Sequence, residues 1–191
     1  MSLDWTELTD GELAALSIAG WPAAFSEIMR RYREPVFRIA RACIGEPVEA
    51  LDLVQETFVA AHRALARYDG ERSMRTWLSA IAVNKCRDHA RKRAVRRFLS
   101  LAIPIGGEAE AVADDQVAID AAAADRDELG RVMRAIAALP TNLREALVLR
   151  TIEGLSQAET AEALAISEKA VETRVYRARA RLAQKLQESE G

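Results

Sequence analysis

Arginine and lysine side chains recur through the last quarter of the chain at spacings that place them on one face of a helix. Between 168 and 183, valine and alanine residues at helical spacing would face inward, and a polar and basic set would face outward. Such a helix can enter the major groove of DNA, with its first turns at base edges and its later arginines at phosphates. The residues that we predict for duplex contact are Lys169, Glu172, Thr173, Arg174, Tyr176, Arg177 and Arg179.

Three of these side chains have the chemistry to read bases. Thr173 and Arg177 can reach base edges, and Glu172 can accept a hydrogen bond from a cytosine amino group. The alternative interpretation is an ordinary helical hairpin with a charged outer face. The density of arginine on this helix favours DNA binding, although many classes of regulator end in this way.

The preceding residues predict the element that positions this helix. Ser156 and Glu159 have the spacing of a capping box and predict a short helix that ends near Leu164. A tight turn follows at 165–167, with Ser167 as the N-cap of the next helix. A short helix, a three-residue turn and a basic helix together predict a helix-turn-helix.

A second basic surface is predicted near the middle of the chain. Residues 63–97 hold eleven Lys and Arg against three Asp and Glu, a net charge of +8 in a chain whose total is −2. The flanking segments 1–62 and 98–130 carry −5 and −7, and 131–191 carries +2. Like charges at this density repel one another unless an anion meets them, so the pattern favours phosphate binding over a merely solvated helix face.

Other classes of site find no support in the sequence. Cys43 and Cys86 lack metal-ligand spacing, and His62 and His89 are far from any cluster of ligands. We therefore expect no metal and no cofactor, and no catalytic constellation that would make the chain an enzyme. The acidic N-terminus lacks the apolar core of a signal peptide. No segment approaches the ~18 apolar residues of a membrane span, so we expect a cytoplasmic protein without membrane insertion.

Apolar residues at helical rather than strand spacing predict an all-α fold. We expect two helical domains, 1–97 and 127–191, joined by an acidic, flexible linker at 98–126 that is rich in Ala, Asp and Glu. The predicted helices run over about 9–19, 22–43, 48–66, 74–97, 127–138 and 141–153, followed by the helix-turn-helix.

Two parts of the chain resemble a known family. Asp-Leu-Val-Gln-Glu-Thr-Phe at 52–58, Tyr-Asp-Gly at 68–70 and Arg-Thr-Trp-Leu-Ser-Ala-Ile-Ala-Val-Asn at 75–84 resemble region 2 of extracytoplasmic-function (ECF) sigma factors. The segment from Leu139 to Arg181 is similar to their region 4. The resemblance implies a two-domain sigma factor that directs RNA polymerase to promoters, in a stress or envelope response under the control of an anti-sigma factor.

The resemblance also implies roles for residues of the first domain. The helix at 52–59 would dock on the coiled-coil clamp helices of the largest polymerase subunit through the stripe Asp52, Gln55, Glu56 and Val59. The loop before the Trp-Leu helix would capture a flipped base of the promoter −10 element, and Tyr68 can stack on such a base. For −10 DNA we predict Tyr68, Asn84, Arg87, Arg91, Lys92 and Arg93; for the −35 element, the recognition-helix residues given above.

The linker sets a geometric condition on this mechanism. A flexible coil of its length averages about 30 Å end to end, and the stretched chain reaches at most roughly 95 Å. Promoter elements two helical turns apart lie ~70 Å from each other. The free coil therefore falls short, and we expect core polymerase to hold the domains apart.

Two other functions fit parts of the sequence. A sigma mimic would titrate an anti-sigma factor without touching DNA, but the +8 segment and the arginine-rich last helix argue against it. A two-domain repressor would bind DNA without polymerase and would sense a ligand in its N-terminal half. Transcription with purified core enzyme separates these possibilities.

Overall fold

A computed structural model describes residues 4–102 and 121–188, and in these ranges the chain is helical throughout, with no β-strand. None of the helices in this part of the chain is both long and apolar enough to cross a bilayer. The helices are α1 (Asp10–Ile18), α2 (Pro22–Ile44), α3 (Pro47–Ala64), α4 (Met74–Ala102), α5 (Ala121–Ala137), α6 (Thr141–Leu147), α7 (Gln157–Leu164) and α8 (Glu168–Glu188), with a 3₁₀ turn at Leu65–Arg67 and a π-helical turn at Val148–Ile152.

Local sequence signals set the boundaries of the first helices. Thr9 and Glu12 form a reciprocal capping box at the start of α1, which satisfies two backbone donors that the first turn leaves free. Pro22 lies in the first turn of α2, where a missing amide proton costs nothing. Gly45 ends α2 at φ +90°, a left-handed conformation that favours glycine.

Helices α1–α4 form a bundle around an apolar core to which each of them contributes. Leu13, Ile28, Ile39, Leu53 and Leu78 are almost fully buried there. One expected core residue of α3 lies elsewhere. Helical spacing predicts Leu51 on the inner stripe with Val54 and Phe58, but that prediction is wrong. The Leu51 side chain is about half exposed and lines a surface cleft.

A buried carboxylate ties the N-terminal segment to α2. Glu27 accepts hydrogen bonds from the guanidinium groups of Arg30 and Arg31, at 2.7–2.8 Å. These bonds lower the pKa of the Glu27 carboxyl to about 2. Arg31 also donates to the carbonyl oxygens of Trp5, Thr6 and Leu8. This network holds the segment before α1 against the bundle.

The helical extents differ from the sequence predictions near the acidic segment. Helix α4 continues to Ala102 and α5 begins at Ala121, so helix extends into both ends of the range predicted as linker. The rest of that range, 103–120, lies outside the described residues. Helix α6, predicted to run through Glu153, changes to a π-helical turn after Leu147.

The predicted helix-turn-helix is present as α7 and α8. Ser156 accepts from the Glu159 amide, and the Glu159 carboxylate accepts from the Ser156 amide, which completes the predicted capping box. Ala165 ends α7 at φ +53°, the left-handed region. Ser167 then caps α8, since its Oγ accepts from the Ala170 amide at 3.2 Å.

The two halves of the chain pack against each other. Helix α5 lies against α2, and α7 lies against α4. Buried apolar residues of the second half, among them Leu139, Leu143 and Val148, belong to the same continuous cluster as the core of the first bundle. The relation between the two halves is therefore set by direct contact.

The left-handed Ala165 makes a stability prediction. A non-glycine residue in this conformation costs about 1–3 kcal/mol, whereas glycine costs only about 0.4–1 kcal/mol through the unfolded chain. Ala165→Gly should therefore raise the melting temperature, by roughly 2–4 °C for a gain of about 1 kcal/mol. Thermal unfolding followed by circular dichroism measures the shift.

The matched control is Ala180→Gly, at an exposed position inside α8. There the same replacement removes helix propensity, about 1 kcal/mol, and should lower the melting temperature. If both variants lose stability equally, Ala165 carries no backbone strain.

Candidate nucleic-acid interface

The recognition helix α8 presents most of the predicted duplex-contact residues on its outer side. Val171 and Ala178 are buried against α7 and its neighbours, which fixes the rotation of the helix. Tyr176 is 76% exposed at the centre of the outer face. Lys169, Glu172, Arg177 and Arg179 are also exposed, while Thr173 and Arg174 are half-buried.

Two hydrogen bonds organise the first turns of α8. The Lys169 ammonium group lies 2.8 Å from the Glu172 carboxylate. The Thr173 hydroxyl donates to the Lys169 carbonyl oxygen at 2.9 Å, so its proton is used within the helix and only its acceptor capacity faces outward. A groove of about 490 Å³ runs beside these side chains, with Gln157 and Arg150 on its other wall.

The loop before α4 carries the residue predicted to stack on a base. The ring of Tyr68 packs against Trp77, with ring centroids 5.1 Å apart and an interplanar angle of 49°. The Tyr68 hydroxyl donates to the Arg72 carbonyl oxygen, which closes the loop. Burial raises the pKa of the Tyr68 phenol. Trp77 packs on the core and supports the Tyr68 ring.

Helix α4 presents the remaining −10 candidates, and most of them have an acidic neighbour. Arg87 donates to both oxygens of Glu145, at 2.7 and 2.6 Å, and to Asn84 Oδ1 at 3.0 Å. This pairing raises the pKa of Arg87. Arg91 pairs with Asp88, and Arg93 lies 3.5 Å from Glu49. Arg91, Lys92 and Arg93 are exposed.

Residues of α2, α4 and the loop before α4 also contact the second domain. The sequence did not predict this contact. The Glu153 carboxylate lies 3.0 Å from Arg38 and 2.8 Å from Arg75, and its side chain is 0% exposed. Arg75 also donates to the Glu153 carbonyl oxygen. At the edge of the contact, Arg72 pairs with Glu162, and the Thr76 hydroxyl lies 3.5 Å from Glu159.

We call this contact the seam; it comprises Arg38, Arg72, Arg75, Thr76 and Arg87 on one side and Glu145, Glu153, Glu159 and Glu162 on the other. The partners lie 58 to 115 residues apart. No local pattern reveals such a pairing. The available signal is indirect, since a carboxylate such as Glu153 at the end of a helix opposes the helix dipole and needs a cation elsewhere.

The predicted polymerase stripe lies on α3, which faces solvent there. Asp52, Gln55, Glu56 and Val59 are all exposed. Glu56 lies 3.6 Å from the Lys85 ammonium group of α4. Gln55 and Val59 also line a mainly apolar cleft between α2 and α3, of about 580 Å³, together with Met29 and Leu51.

The remaining candidate ligands do not assemble into a metal centre. Cys43 and Cys86 are free and buried. Among the described residues, no three His, Cys, Asp or Glu side chains are close enough to hold an ion.

Two models of one protein family match the parts of the chain that carry these candidate surfaces. Residues 28–96 match the family model for Sigma-70 region 2, and residues 129–182 match the model for Sigma-70 region 4. The first match contains Tyr68 and the basic part of α4, and the second contains α7 and most of α8.

Relatives match along nearly their whole length. RNA polymerase sigma factor CnrH of Cupriavidus metallidurans is 41% identical over 178 residues, which cover 92% of this chain and 93% of the relative. ECF RNA polymerase sigma factor SigM of Mycobacterium tuberculosis is 33% identical, with 94% of this chain and 86% of the relative covered.

Solved structures agree with the fold. The structure of CnrH in complex with the cytosolic domain of CnrY matches with a TM-score of 0.69 at 35% identity, covering 93% of this chain and 97% of that one. The sigma factor RpoE of Bartonella quintana, in complex with the anti-sigma factor NepR, matches in fold with a TM-score of 0.66, covering 85% of this chain and 96% of that one. The predicted all-α architecture is thereby confirmed. With both sigma regions present in order and relatives aligned from end to end, the chain belongs to the extracytoplasmic-function group of the sigma-70 family.

Proposed function

We propose that this protein directs core RNA polymerase to specific promoters and takes part in opening them, without catalysing a reaction itself. The observation that carries this proposal is the presence, in one chain, of region 2 with a basic helix and region 4 with an exposed recognition helix. We assign polymerase docking and the −10 element to the domain at 1–97, the −35 element to 127–191, and the connection between them to 98–126.

For polymerase docking we propose the stripe Asp52, Gln55, Glu56 and Val59. Its exposure leaves these side chains available to a partner. The stripe combines charged and amide groups with one apolar side chain, and the adjacent cleft adds the apolar surface of Met29 and Leu51. Interfaces of this kind bury an apolar centre inside a polar rim, which suits a helical clamp.

For the −10 element we propose Tyr68 as the stacking residue and the basic side of α4 as the phosphate contact. Tyr68 is half-buried with one side against Trp77, an arrangement that holds the ring in place for a base on its other face. Stacking of a base on an aromatic side chain contributes ~1–3 kcal/mol. Asn84, Arg87, Arg91, Lys92 and Arg93 follow along α4 within reach of an opened strand.

For the −35 element we propose direct readout by α8 in the major groove. Arg177 lies on the exposed side, one turn after Thr173, where a guanidinium group can bind a guanine edge in bidentate fashion. Glu172 is engaged by Lys169, so its role in accepting from cytosine requires that ion pair to rearrange. Lys169, Arg174, Tyr176 and Arg179 complete the proposed contact surface.

We also infer an anti-sigma factor as a partner. The structure of CnrH holds the cytosolic domain of CnrY, and CnrH is 41% identical to this chain. The apolar cleft beside the polymerase stripe offers such a partner a surface that polymerase also needs.

The two rival functions receive less support. A sigma mimic has no use for a recognition helix with exposed Arg177 and Arg179. A ligand-sensing repressor needs an enclosed pocket in its first domain. The cleft between α2 and α3 is open to solvent and is lined by both buried and exposed side chains, among them Phe58 and Leu51, which fits a macromolecular partner better than an enclosed small molecule.

Run-off transcription with purified core enzyme on a library of genomic promoters tests the function. We expect transcripts from a small set of promoters that share two sequence elements, and none from core enzyme alone. DNA binding by the isolated chain with no transcript in the presence of core enzyme would favour the repressor, and absence of both would favour the mimic.

Arg177→Ala tests the base-reading role. If Arg177 reads a base, the substitution should cost about 1–3 kcal/mol, roughly five- to 150-fold in promoter affinity, and only at promoters that carry the cognate base. Holoenzyme binding to matched and base-substituted promoters measures this. The control is Arg181→Ala, one turn further along α8 and also exposed, where we expect a uniform loss across sequences because the contact is to phosphate.

Tyr68→Ala tests the stacking role. We expect normal holoenzyme assembly and slower promoter opening, since the variant lacks the ring that receives the flipped base. Permanganate reactivity of unpaired thymines follows opening. Tyr68→Phe keeps the ring but removes the hydroxyl that donates to the Arg72 carbonyl oxygen, and it should open promoters as the wild type does. If Tyr68→Phe is as slow as Tyr68→Ala, loop closure rather than stacking is the role of this residue.

A further inference from the structure

Two glycines bring helix α1 and the loop of Tyr68 into direct backbone contact. Gly11 lies in the first turn of α1, and Gly70 lies in the loop between the 3₁₀ turn and α4. A β-carbon built on Gly11 would lie 3.2 Å from the Gly70 carbonyl oxygen and 3.6 Å from the Gly70 α-carbon. The absence of a side chain at Gly11 therefore lets the helix approach the loop this closely.

Helix α1 is fixed to α2 by apolar and polar contacts. Leu13 and Ala14 are 0% and 4% exposed. The Asp10 carboxylate accepts hydrogen bonds from the Tyr32 hydroxyl at 2.5 Å and from the Arg31 guanidinium group at 3.2 Å. Burial and the bond to Asp10 raise the pKa of the Tyr32 phenol, so the hydroxyl keeps the proton that it donates. These contacts oppose a movement of α1 away from the loop.

The loop is closed by its own hydrogen bonds. The Arg72 amide donates to the Asp69 carbonyl oxygen at 3.0 Å, and the Glu71 amide donates to the Asp69 carboxylate at 3.1 Å. The Tyr68 hydroxyl donates to the Arg72 carbonyl oxygen. Gly70 lies inside the turn that these bonds close, so its position and that of Tyr68 are linked.

The loop is the softer of the two partners in this contact. Residues 69–73 are all exposed, whereas α1 contributes buried side chains to the core. Segments that bury few apolar groups have low local stability. A side chain at position 11 therefore displaces the loop rather than the helix, and a methyl group already requires a shift of a few tenths of an ångström.

This displacement reaches the ring that we assign to base stacking. Tyr68 packs against Trp77 with ring centroids 5.1 Å apart, and Trp77 packs on the core of the first domain. When the loop moves, Trp77 stays in place, and the Tyr68 ring changes its position relative to it. Stacking depends on the geometry of two ring faces, so a displaced Tyr68 ring receives a base less well.

We propose that Gly11 is a positioning residue for the −10 element. Its missing side chain lets α1 hold the turn around Gly70, and this turn sets the Tyr68 ring where it receives the flipped base. The inference rests on the proposed function for the role of Tyr68. The contact between Gly11 and Gly70 is a property of the first domain and does not depend on that function.

The test uses the full chain with Gly11→Ala and with Gly11→Leu. Both new residues are better helix formers than glycine, so α1 gains helix propensity while its contact with Gly70 becomes crowded. We expect normal holoenzyme assembly and slower promoter opening, measured by permanganate reactivity. Gly11→Leu should slow opening by about five- to 150-fold, the range that loss of base stacking gives, and Gly11→Ala by a smaller factor.

The matched control is Gly130→Ala in α5, a helical and half-buried glycine of the second domain. A β-carbon there meets the Nη1 atom of Arg134 at 3.3 Å, and the end of a flexible side chain can move aside. This variant gains the same helix propensity and should open promoters at the rate of the wild type. Equal opening rates for Gly11→Ala, Gly11→Leu and Gly130→Ala overturn the proposal.

A double variant separates positioning from general destabilisation. If Gly11 acts through Tyr68, Gly11→Leu combined with Tyr68→Ala should open promoters as slowly as Tyr68→Ala alone, because the ring is already absent. If the two losses multiply instead, the crowded helix acts through some other part of the domain, and the positioning role is wrong.

The ring contact can be measured without DNA or polymerase. Nuclear Overhauser effects between the Tyr68 and Trp77 rings should be strong in the wild type and in Gly130→Ala, and weaker in Gly11→Leu. If Gly11→Leu unfolds, Gly11→Ala provides the same comparison with a smaller displacement. Unchanged effects in a folded Gly11→Leu variant contradict the displacement of the ring.

The two sets of measurements distinguish the failure of this inference from the failure of the proposed function. A wild type that gives no transcript with core enzyme overturns the proposed function and the positioning role together, whatever the ring contact shows. A wild type that transcribes, with Gly11→Leu opening promoters equally fast, overturns the positioning role and leaves the proposed function.

Discussion

The ion pairs of Glu153 with Arg38 and Arg75 are the interaction on which the arrangement of the two domains depends. The carboxylate is fully buried at the end of a helix, where both desolvation and the helix dipole oppose its charge. Two arginines of the first domain stabilise the charged carboxylate. The apolar cluster around Leu143 and Val148 also stabilises the contact, but apolar burial is non-directional and does not specify an orientation by itself. The polar seam therefore decides which faces meet, and it selects the side of α4 that carries Arg75 and Arg87.

The position and rotation of α8 depend on interactions between residues that are closer in sequence than those of the seam. The Ser156–Glu159 capping box starts α7, the left-handed Ala165 ends it, and Ser167 starts α8, so the crossing of the two helices follows from three short-range features. Burial of Val171 and Ala178 then fixes which side of α8 faces outward. Apart from Glu159, which also lies beside Thr76 in the seam, these features lie within the C-terminal domain, so we expect the outer face of α8 to keep its form when the domains separate.

This difference explains what the sequence could and could not predict. The helix-turn-helix and the starts of α2, α4 and α6 depend on caps, prolines and periodicity within a few residues, and they were predicted correctly. The seam joins residues 58 to 115 positions apart, and its carboxylates look like ordinary surface charges in the sequence. The prediction for Leu51 is wrong for a related reason. Helical periodicity places this residue on the inner stripe, but the surface beside it is an open cleft. That cleft results from the packing of α2 against α3, which the periodicity of one helix does not describe.

The basic residues of 63–97 can bind carboxylates as well as phosphates. A net charge of +8 over 63–97 suits phosphate, yet guanidinium groups bind carboxylates by the same bidentate geometry, so a neighbouring acidic face competes for them. The proposed polymerase stripe of Asp52, Gln55, Glu56 and Val59 lies on α3, outside the seam, and is exposed in the arrangement in which Glu145 holds Arg87. If this stripe is the docking site, as proposed, core enzyme can reach it without breaking the seam. Under the proposed function the two domains must separate by ~70 Å to match two promoter elements. The seam has to break for this separation, and Arg87 then loses its carboxylate partner Glu145.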